Sequence, residues 1–377
     1  MTFSTSEKER RHRAIHELIQ TNQLKALLLI GDTNVGPEFN GDLRYYTNNR
    51  IIFYRQAVVI FPDSDPVLFA GSEIQRQAAL RRSFVKDCRL TSDVVADVAG
   101  LLKERKISSG RVGVNLEMLP AAGYHILKKE FPKVEWVETH GQIMQIRNNH
   151  SQEEIETYRK GALLGDGGFE AAVKMIHPGV SEYEIVAEIE HYGRARGVEE
   201  HFTLIGSGKF SFGNDNTLPL PYSPSPRRIE VGDSIMMEIT PRYEGYWTQL
   251  VRTVNVGKPN PDLEKIQKVC RHGIESGLGF LKPGRTVEEV VMAMESFVSS
   301  CGYLLKPPIG HICGIDLIEG RVSHQNEMVL ERGTVVILHP TVFTPDGKYS
   351  FFWGETYLVT QNGYDRLHQS GDELLTI

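Results

Sequence analysis

The sequence predicts a two-domain protein: an α/β unit over residues 1–147, then a second domain over 148–377 that mixes helices with β-rich stretches. Three observations carry this reading. Short apolar runs alternate with helical patterns in the first part, the signature of a sheet with helices packed on its faces. A polar stretch, Ile146-Arg-Asn-Asn-His-Ser151, then breaks the apolar periodicity. Beyond it, two capping boxes, Ser151 with Glu154 and Ser181 with Glu184, each open a helix.

The elements follow from their residues. Glu7 to Gln20 is a charged amphipathic helix with Ile15, Leu18 and Ile19 on one side. Ala26–Ile30 before Gly31-Asp32, Gln56–Phe61 before Pro62-Asp63, and Pro66–Ala70 are buried strands. Asp93 to Lys106 is helical and Arg111–Asn115 is a further strand. In the second domain the helix from Ser151 runs to about Ile176, where His177-Pro178-Gly179 ends it. The helix from Ser181 runs to about Gly197. Residues 202–257 carry strand signals, including the alternating Ser234–Ile239. Pro261–Leu281 and Thr286–Cys301 are helical, and Val335–Leu338 and Thr356–Thr360 are strands.

Composition limits the function classes. Forty-two basic against 48 acidic residues give a formal net charge of −6. A nucleic-acid binder usually carries a basic stripe, so no nucleic-acid partner is expected. No run approaches the ~18 apolar residues of a membrane span, and the N-terminus lacks a signal-peptide core, so no membrane partner and a cytoplasmic location are expected. Cys88, Cys270, Cys301 and Cys313 have no C-x-x-C spacing and read as reduced, mostly buried thiols. Gly206-Ser-Gly208 lacks the lysine of a phosphate loop, and Ser207 lacks a nucleophile-elbow frame.

A series of landmarks follows in fixed order. They are Pro178-Gly179, Gly232-Asp233-Ser-Ile-Met-Met-Glu238, Gly245-Tyr246, Val251-Arg252-Thr253 through Gly257, Pro283-Gly284, Gly310-His311-Ile-Cys-Gly314, Val335 through His339-Pro340, and Glu355 through Thr360. Together they resemble the aminopeptidase P, prolidase and creatinase family over essentially the whole chain. The resemblance implies a creatinase-like α/β N-terminal domain followed by an α+β pita-bread catalytic domain. It also implies a homodimer in which the N-terminal domain contributes to the partner subunit's site.

The resemblance also shows how far this chain diverges. Peptidase members hold two divalent metals with two Asp, one His and two Glu. Position by position, the first Asp falls on Glu238 and the second on Gln249. The His is kept as His311, the first Glu falls on His339, and the last falls on Gly354, or on Glu355 after a one-residue slip. The family's second histidine falls on Ile318. An amide cannot bridge two cations as a carboxylate does, so no dinuclear centre is expected. The working residues of metal-free creatinase fall on Pro221, Val251 and His339, so that chemistry is not inherited intact either.

The expected site is therefore rewired. His339 and His311 are the expected general bases, with Glu238 raising and orienting an imidazole. Gln249, Trp353, Tyr246, His201, Glu355 and, from the N-terminal domain, Arg50 and Arg55 are expected to bind substrate; an arginine fork suits a carboxylate. Trp247 and Tyr222 are further candidates to line the cavity, and Arg252 is read as structural. No cofactor is favoured; the alternative is one Zn or Fe ion on Glu238, His311 and His339, with Gln249 or Glu355 as a fourth ligand. The expected function is hydrolysis of a C–N bond in a small carboxylate-bearing substrate by His/Glu acid–base catalysis. The alternatives are a mononuclear metal-dependent hydrolase or peptidase, a lyase or decarboxylase, and a non-catalytic ligand-binding protein.

Overall fold

The computed structural model describes residues 3–32, 41–209, 220–347 and 349–377. The chain divides into two compact units, Met1–Asn148 with Ile315–Leu317, and Asn149–Gly314 with Ile318–Ile377.

The first unit contains α1 (Thr5–Thr21), β1 (Leu24–Gly31), α2 (Gly41–Thr47), β2 (Gln56–Ile60), β3 (Val67–Ala70), α3 (Glu73–Arg82), β4 (Asp87–Leu90), α4 (Val94–Glu104), β5 (Ser109–Val114), α5 (Ala121–Glu130), β6 (Lys133–Glu138) and α6 (His140–Asn148). The strands form a mixed sheet in the order β4-β3-β2-β1-β5-β6. Its core is the set of apolar runs read from the sequence, Leu28, Ile30, Val59, Phe69 and Val112 among them, with Val98 and Leu102 of α4. Helices α2, α3, α5 and α6 and strands β4 and β6 are additions to the sequence reading. Several are short or polar: α3 buries only Gln75 and Ala79, too little for an apolar stripe to show.

The polar stretch at the boundary is not the exposed break that its composition suggests. Helix α6 runs through it, and Arg147 is among the largest fully buried side chains. Its guanidinium meets Asp42 at 2.6 Å and Asp316 at 2.8 Å. Asp42 also receives His140 Nδ1 at 2.7 Å and the Asn115 amide at 3.1 Å. Burial alone would raise the Asp42 pKa, but His140 and Arg147 together hold it below the usual carboxylate range.

The second unit contains α7 (Gln152–Met175), α8 (Glu182–Arg194), β7 (Val198–Gly208), β8 (Ser234–Tyr243), β9 (Tyr246–Trp247), β10 (Leu250–Asn255), α9 (Pro261–Leu278), α10 (Val287–Ser300), β11 (Leu304–Lys306), β12 (Gly310–Ile312), β13 (Gly320–Arg321), β14 (Val335–Leu338), β15 (Thr341–Phe343), β16 (Ser350–Phe352), β17 (Gly354–Val359), β18 (Tyr364–Arg366) and β19 (Leu375–Thr376). Both expected capping boxes are present, and Thr286 with Glu289 makes a third at the start of α10. The main sheet runs β13-β12-β14-β17-β10-β8-β7, with β9, β18 and β19 pairing at its sides. One half packs Ile205, Ile235, Met237, Ile239 and Leu250 against α7 and α8. The other packs Ile312, Val336, Leu338 and Tyr357 with the apolar faces of α9 and α10. The architecture is a pita-bread fold.

Removing one member of a buried charge network leaves the others desolvated and unpaired, which costs about 3–5 kcal/mol. Arg147→Ala takes a guanidinium from Asp42, which keeps His140 and Asn115, and from Asp316, which keeps the Gly41 N–H. Urea unfolding of this variant should show a loss of that size; a loss below about 1 kcal/mol is the scale of an exposed pair and would show that the network is solvated.

Candidate functional site

Strand register assembles the candidate set. Ile235, Met237 and Ile239 of β8 point to α7 and α8, so alternation puts Glu238 on the opposite face with Met236. Its cross-strand neighbours there are Val251 and Leu204. His311 on β12 lies opposite Ile337, two residues before His339, so the two imidazoles share a face. Their ring centroids are 5.2 Å apart, edge to face, and Phe352 covers His339 at 5.1 Å. Gln249 immediately precedes β10 and its Oε1 lies 3.3 Å from His311 Nε2. An amide oxygen can only accept, so this contact places the proton on Nε2 of His311.

Gly354 makes the set possible. A Cβ at this position would lie 2.1 Å from the Leu338 carbonyl oxygen and 2.5–2.6 Å from Cα and Cβ of His339. Strands β14 and β17 therefore approach too closely for any side chain at 354, one of the two positions on which the family's last ligand falls.

The electrostatics reverse the expected roles. Burial pushes the Glu238 carboxyl up to about 7, and burial pushes the His339 imidazole down to about 4. At His339 the raised pKa expected from a neighbouring carboxylate is not found. His339 stays neutral across physiological pH, and Glu238 is the group that titrates near neutrality. Among the described residues, Gln249 Nε2 is buried without a hydrogen-bond partner.

Thr356 holds the backbone of Gln249, with His368 and Asp166 behind it. The Thr356 hydroxyl accepts from the Gln249 amide N–H at 2.8 Å and donates to its carbonyl at 3.1 Å. His368 Nε2 lies 3.3 Å from the same hydroxyl, and His368 Nδ1 lies 3.3 Å from Asp166 Oδ1. Burial opposes ionisation of Asp166, but His368, the Ser370 hydroxyl and the Gln369 N–H hold its pKa down at about 2. Sequence reading missed Asp166 and His368, which lie 202 residues apart and share no motif. Thr356 was within reach, since it follows Glu355 in a quoted landmark.

Other expected binding residues stand elsewhere. Glu355 is 1% exposed and its carboxylate is taken by Arg252 and Arg366, so it is spent on an ion triad. Trp353 lies over the Arg252 guanidinium at 4.5 Å and lines a depression of about 240 Å³ with Glu355, Tyr357 and Arg366. Tyr246 donates to Glu154 at 2.6 Å and packs edge-on against Tyr158 and His150. His201 shares the helix-covered face of β7 with Thr203 and Ile205 and presses on Gly193 of α8; burial lowers its pKa to about 4. Trp247 is fully buried beside Arg242, and Tyr222 is 76% exposed. Arg50 and Arg55 belong to the first unit, where Arg55 pairs with buried Asp32 at 2.7 Å.

The donor set does not fit the family's dinuclear centre. Gln249 supplies an amide already turned to His311, and Gly354 supplies nothing. Among the described residues no group of three or more His, Cys, Asp or Glu side chains is placed to hold a metal ion.

Comparison with known proteins agrees with the fold and landmarks. Residues 156–361 match the model of metallopeptidase family M24, and residues 11–148 that of the creatinase/prolidase N-terminal domain. Xaa-Pro dipeptidase of Pyrococcus furiosus is 30% identical over 254 residues, covering 66% of this chain and 69% of that protein. The Xaa-Pro dipeptidase of Pyrococcus horikoshii is also 30% identical over 254 residues, covering 66% and 68%. An X-Pro aminopeptidase from Thermotoga maritima superposes with a TM-score of 0.85 at 20% identity, covering 97% of this chain and 99% of that one. The Xaa-Pro dipeptidase structure from Bacillus anthracis gives 0.82 at 22%, covering 98% and 100%. The chain is a two-domain pita-bread protein of the creatinase and prolidase type. It belongs to metallopeptidase family M24, a family of hydrolases acting on C–N bonds.

The two shifted groups have opposite linkage signs. The unfolded chain loses the Glu238 proton near pH 4.5 while the folded chain keeps it to about 7. Stability from this group therefore falls as pH rises through that window, by about 3 kcal/mol. His339, neutral when folded down to about pH 4, contributes a rise between 4 and its ordinary 6.5 and masks part of that fall. The difference between Glu238→Gln and the parent isolates the carboxyl: the variant's Tm should gain on the parent's from pH 4.5 to 8. A pH-independent difference would refute the raised pKa. Gly354→Ala forces β14 and β17 apart and should cost about 1–3 kcal/mol by urea unfolding; a neutral result would contradict the close approach.

Proposed function

We propose that this protein hydrolyses a C–N bond in a small, carboxylate-bearing substrate by acid–base catalysis in which the dinuclear metal centre of M24 peptidases takes no part. The observation that carries this reading is the replacement of the bridging carboxylate by Gln249, hydrogen-bonded to His311, with Glu238, whose carboxyl is pushed up to about 7, opposite Val251 of the same strand pair. The dipeptidase relatives support the bond type and a substrate with a free carboxylate.

The side chains suit a simple proton cycle. Ionised Glu238 takes a proton from water as the water oxygen bonds to the electrophilic carbon. The oxygen of the tetrahedral intermediate then accepts from Gln249 Nε2, a buried donor with no other partner. Glu238 returns the proton to the leaving nitrogen as the C–N bond breaks, so one carboxyl serves as base and then acid. Neutral His339 offers a hydrogen bond without adding charge. Arg50 and Arg55 are the candidate clamps for the substrate carboxylate, reaching the site of a partner subunit in a homodimer; Arg55 also pairs with Asp32.

The test is elemental mass spectrometry on protein made in medium supplemented with Zn, Mn and Fe, paired with a hydrolysis screen over Xaa-Pro dipeptides, N-acyl amino acids and amidines. Metal-free protein with chelator-resistant turnover is expected, with kcat falling about 10²–10⁴-fold in Glu238→Gln and half-maximal rate near the carboxyl's pKa of about 7. Two metal ions per chain would restore the dinuclear peptidase. Binding without turnover across the screen would favour a ligand-binding protein.

A further inference from the structure

Gln249 is held from outside the site as well as inside it. Its backbone N–H and C=O both bond to one hydroxyl, Thr356 Oγ1, at 2.8 and 3.1 Å. Its side-chain amide reaches in the other direction, to His311 Nε2 at 3.3 Å. Behind Thr356 stand His368 and Asp166, each link 3.3 Å long. All four residues are buried, Thr356 completely, and they come from α7, the segment before β10, β17 and the segment after β18. Nothing in simple strand pairing asks for this: at the β10–β17 join the ladder pairs only Leu250 with Glu355 and Val251 with Gly354.

Hydrogen counting gives the chain a direction. A hydroxyl has one proton to donate and two lone pairs to accept with. Thr356 spends its proton on the Gln249 carbonyl and one lone pair on the Gln249 N–H. The other lone pair is left for His368, so Nε2 of His368 must be the donor. Asp166 can only accept, so Nδ1 of His368 must donate as well.

We propose that Asp166, His368 and Thr356 are positioning residues that fix Gln249 and, through it, the Nε2–H tautomer of His311. None of the three touches the reacting atoms. The charged groups around His368 are Asp166, bonded to it, and Arg252 and Arg366, which bond the Ser370 carbonyl two residues on and face Glu355. This inference rests on the proposed role of Gln249 and His311, but its readout does not need a substrate.

The experiment is side-chain ¹⁵N NMR of histidine-labelled full-length protein, with His311→Asn giving the assignment. The parent should show His311 as a single Nε2–H tautomer. Thr356→Val should turn that signal into a tautomer mixture, and Thr356→Ser, which keeps the hydroxyl, should restore the single form. His368→Gln and Asp166→Asn should fall between. Circular dichroism and cooperative unfolding identify variants that fold; the serine variant keeps the test open if the valine variant does not. An unchanged His311 tautomer in folded Thr356→Val, or a mixture in Thr356→Ser, would overturn the proposal. Absence of hydrolysis by the parent would instead overturn the functional reading and leave the NMR result standing.

Discussion

The join between β10 and β17 is the constraint on which the rest of the catalytic unit depends. It is where one half of the curved sheet, covered by α7 and α8, meets the half covered by α9 and α10. The ladder there is short, and side chains complete it. On one side Arg252 binds Glu355 and the carbonyl oxygens of Gly354 and Gly371. Alongside, Thr356 binds both polar groups of Gln249. A buried ion group is a poor source of net stability but a strong enforcer of geometry, because any slip leaves charge desolvated. Register at this join decides whether Gln249, His311 and His339 converge at all.

What converges there is close to electrically neutral. A dinuclear peptidase site needs converging carboxylates to balance two dications. Here one carboxyl remains, and its surroundings favour the protonated form; the imidazole beside Phe352 favours the neutral form for the same reason. Both shifts have one cause, removal from water, and both lower the local charge. A group with a pKa near working pH is well suited to pass a proton in either direction, whereas an imidazole at about 4 is a weak base. In the proposed reaction, proton transfer therefore falls to the glutamate rather than to the histidine that chemical type alone would suggest.

The fold was legible because its signals are local. Capping boxes at Ser151 and Ser181 and the apolar runs at Leu27–Ile30 and Val335–Leu338 depend only on near neighbours. Helices α3 and α6 were hidden because they bury few apolar residues, and the buried network of Arg147 gave no signal because its partners, Asp42 and Asp316, are distant in sequence. In the site, Glu238, Gln249, His311 and His339 could be placed by motif spacing. Glu355 and Trp353 could not, since a one-residue shift along a strand exchanges the two faces of the sheet. Tyr246 and His201 failed for a related reason: both flank the right strands but turn toward helices. The Asp166–His368 contact has no sequence signal at all.

The substitutions at 249, 339 and 354 make physical sense as a set. An amide at 249 removes the charge that would need a cation and gives His311 a neutral partner. The backbone of His339 then comes within van der Waals reach of position 354, where only a residue without a Cβ fits. Reverting Gln249 to an acid alone would leave a desolvated carboxylate facing His311 with no second charged ligand at 354. Placing a ligand at 354 alone would drive β14 from β17 and disturb His339. Each change is costly without the others, so the altered donor set is tied to the spacing of the strands as well as to the identity of the side chains.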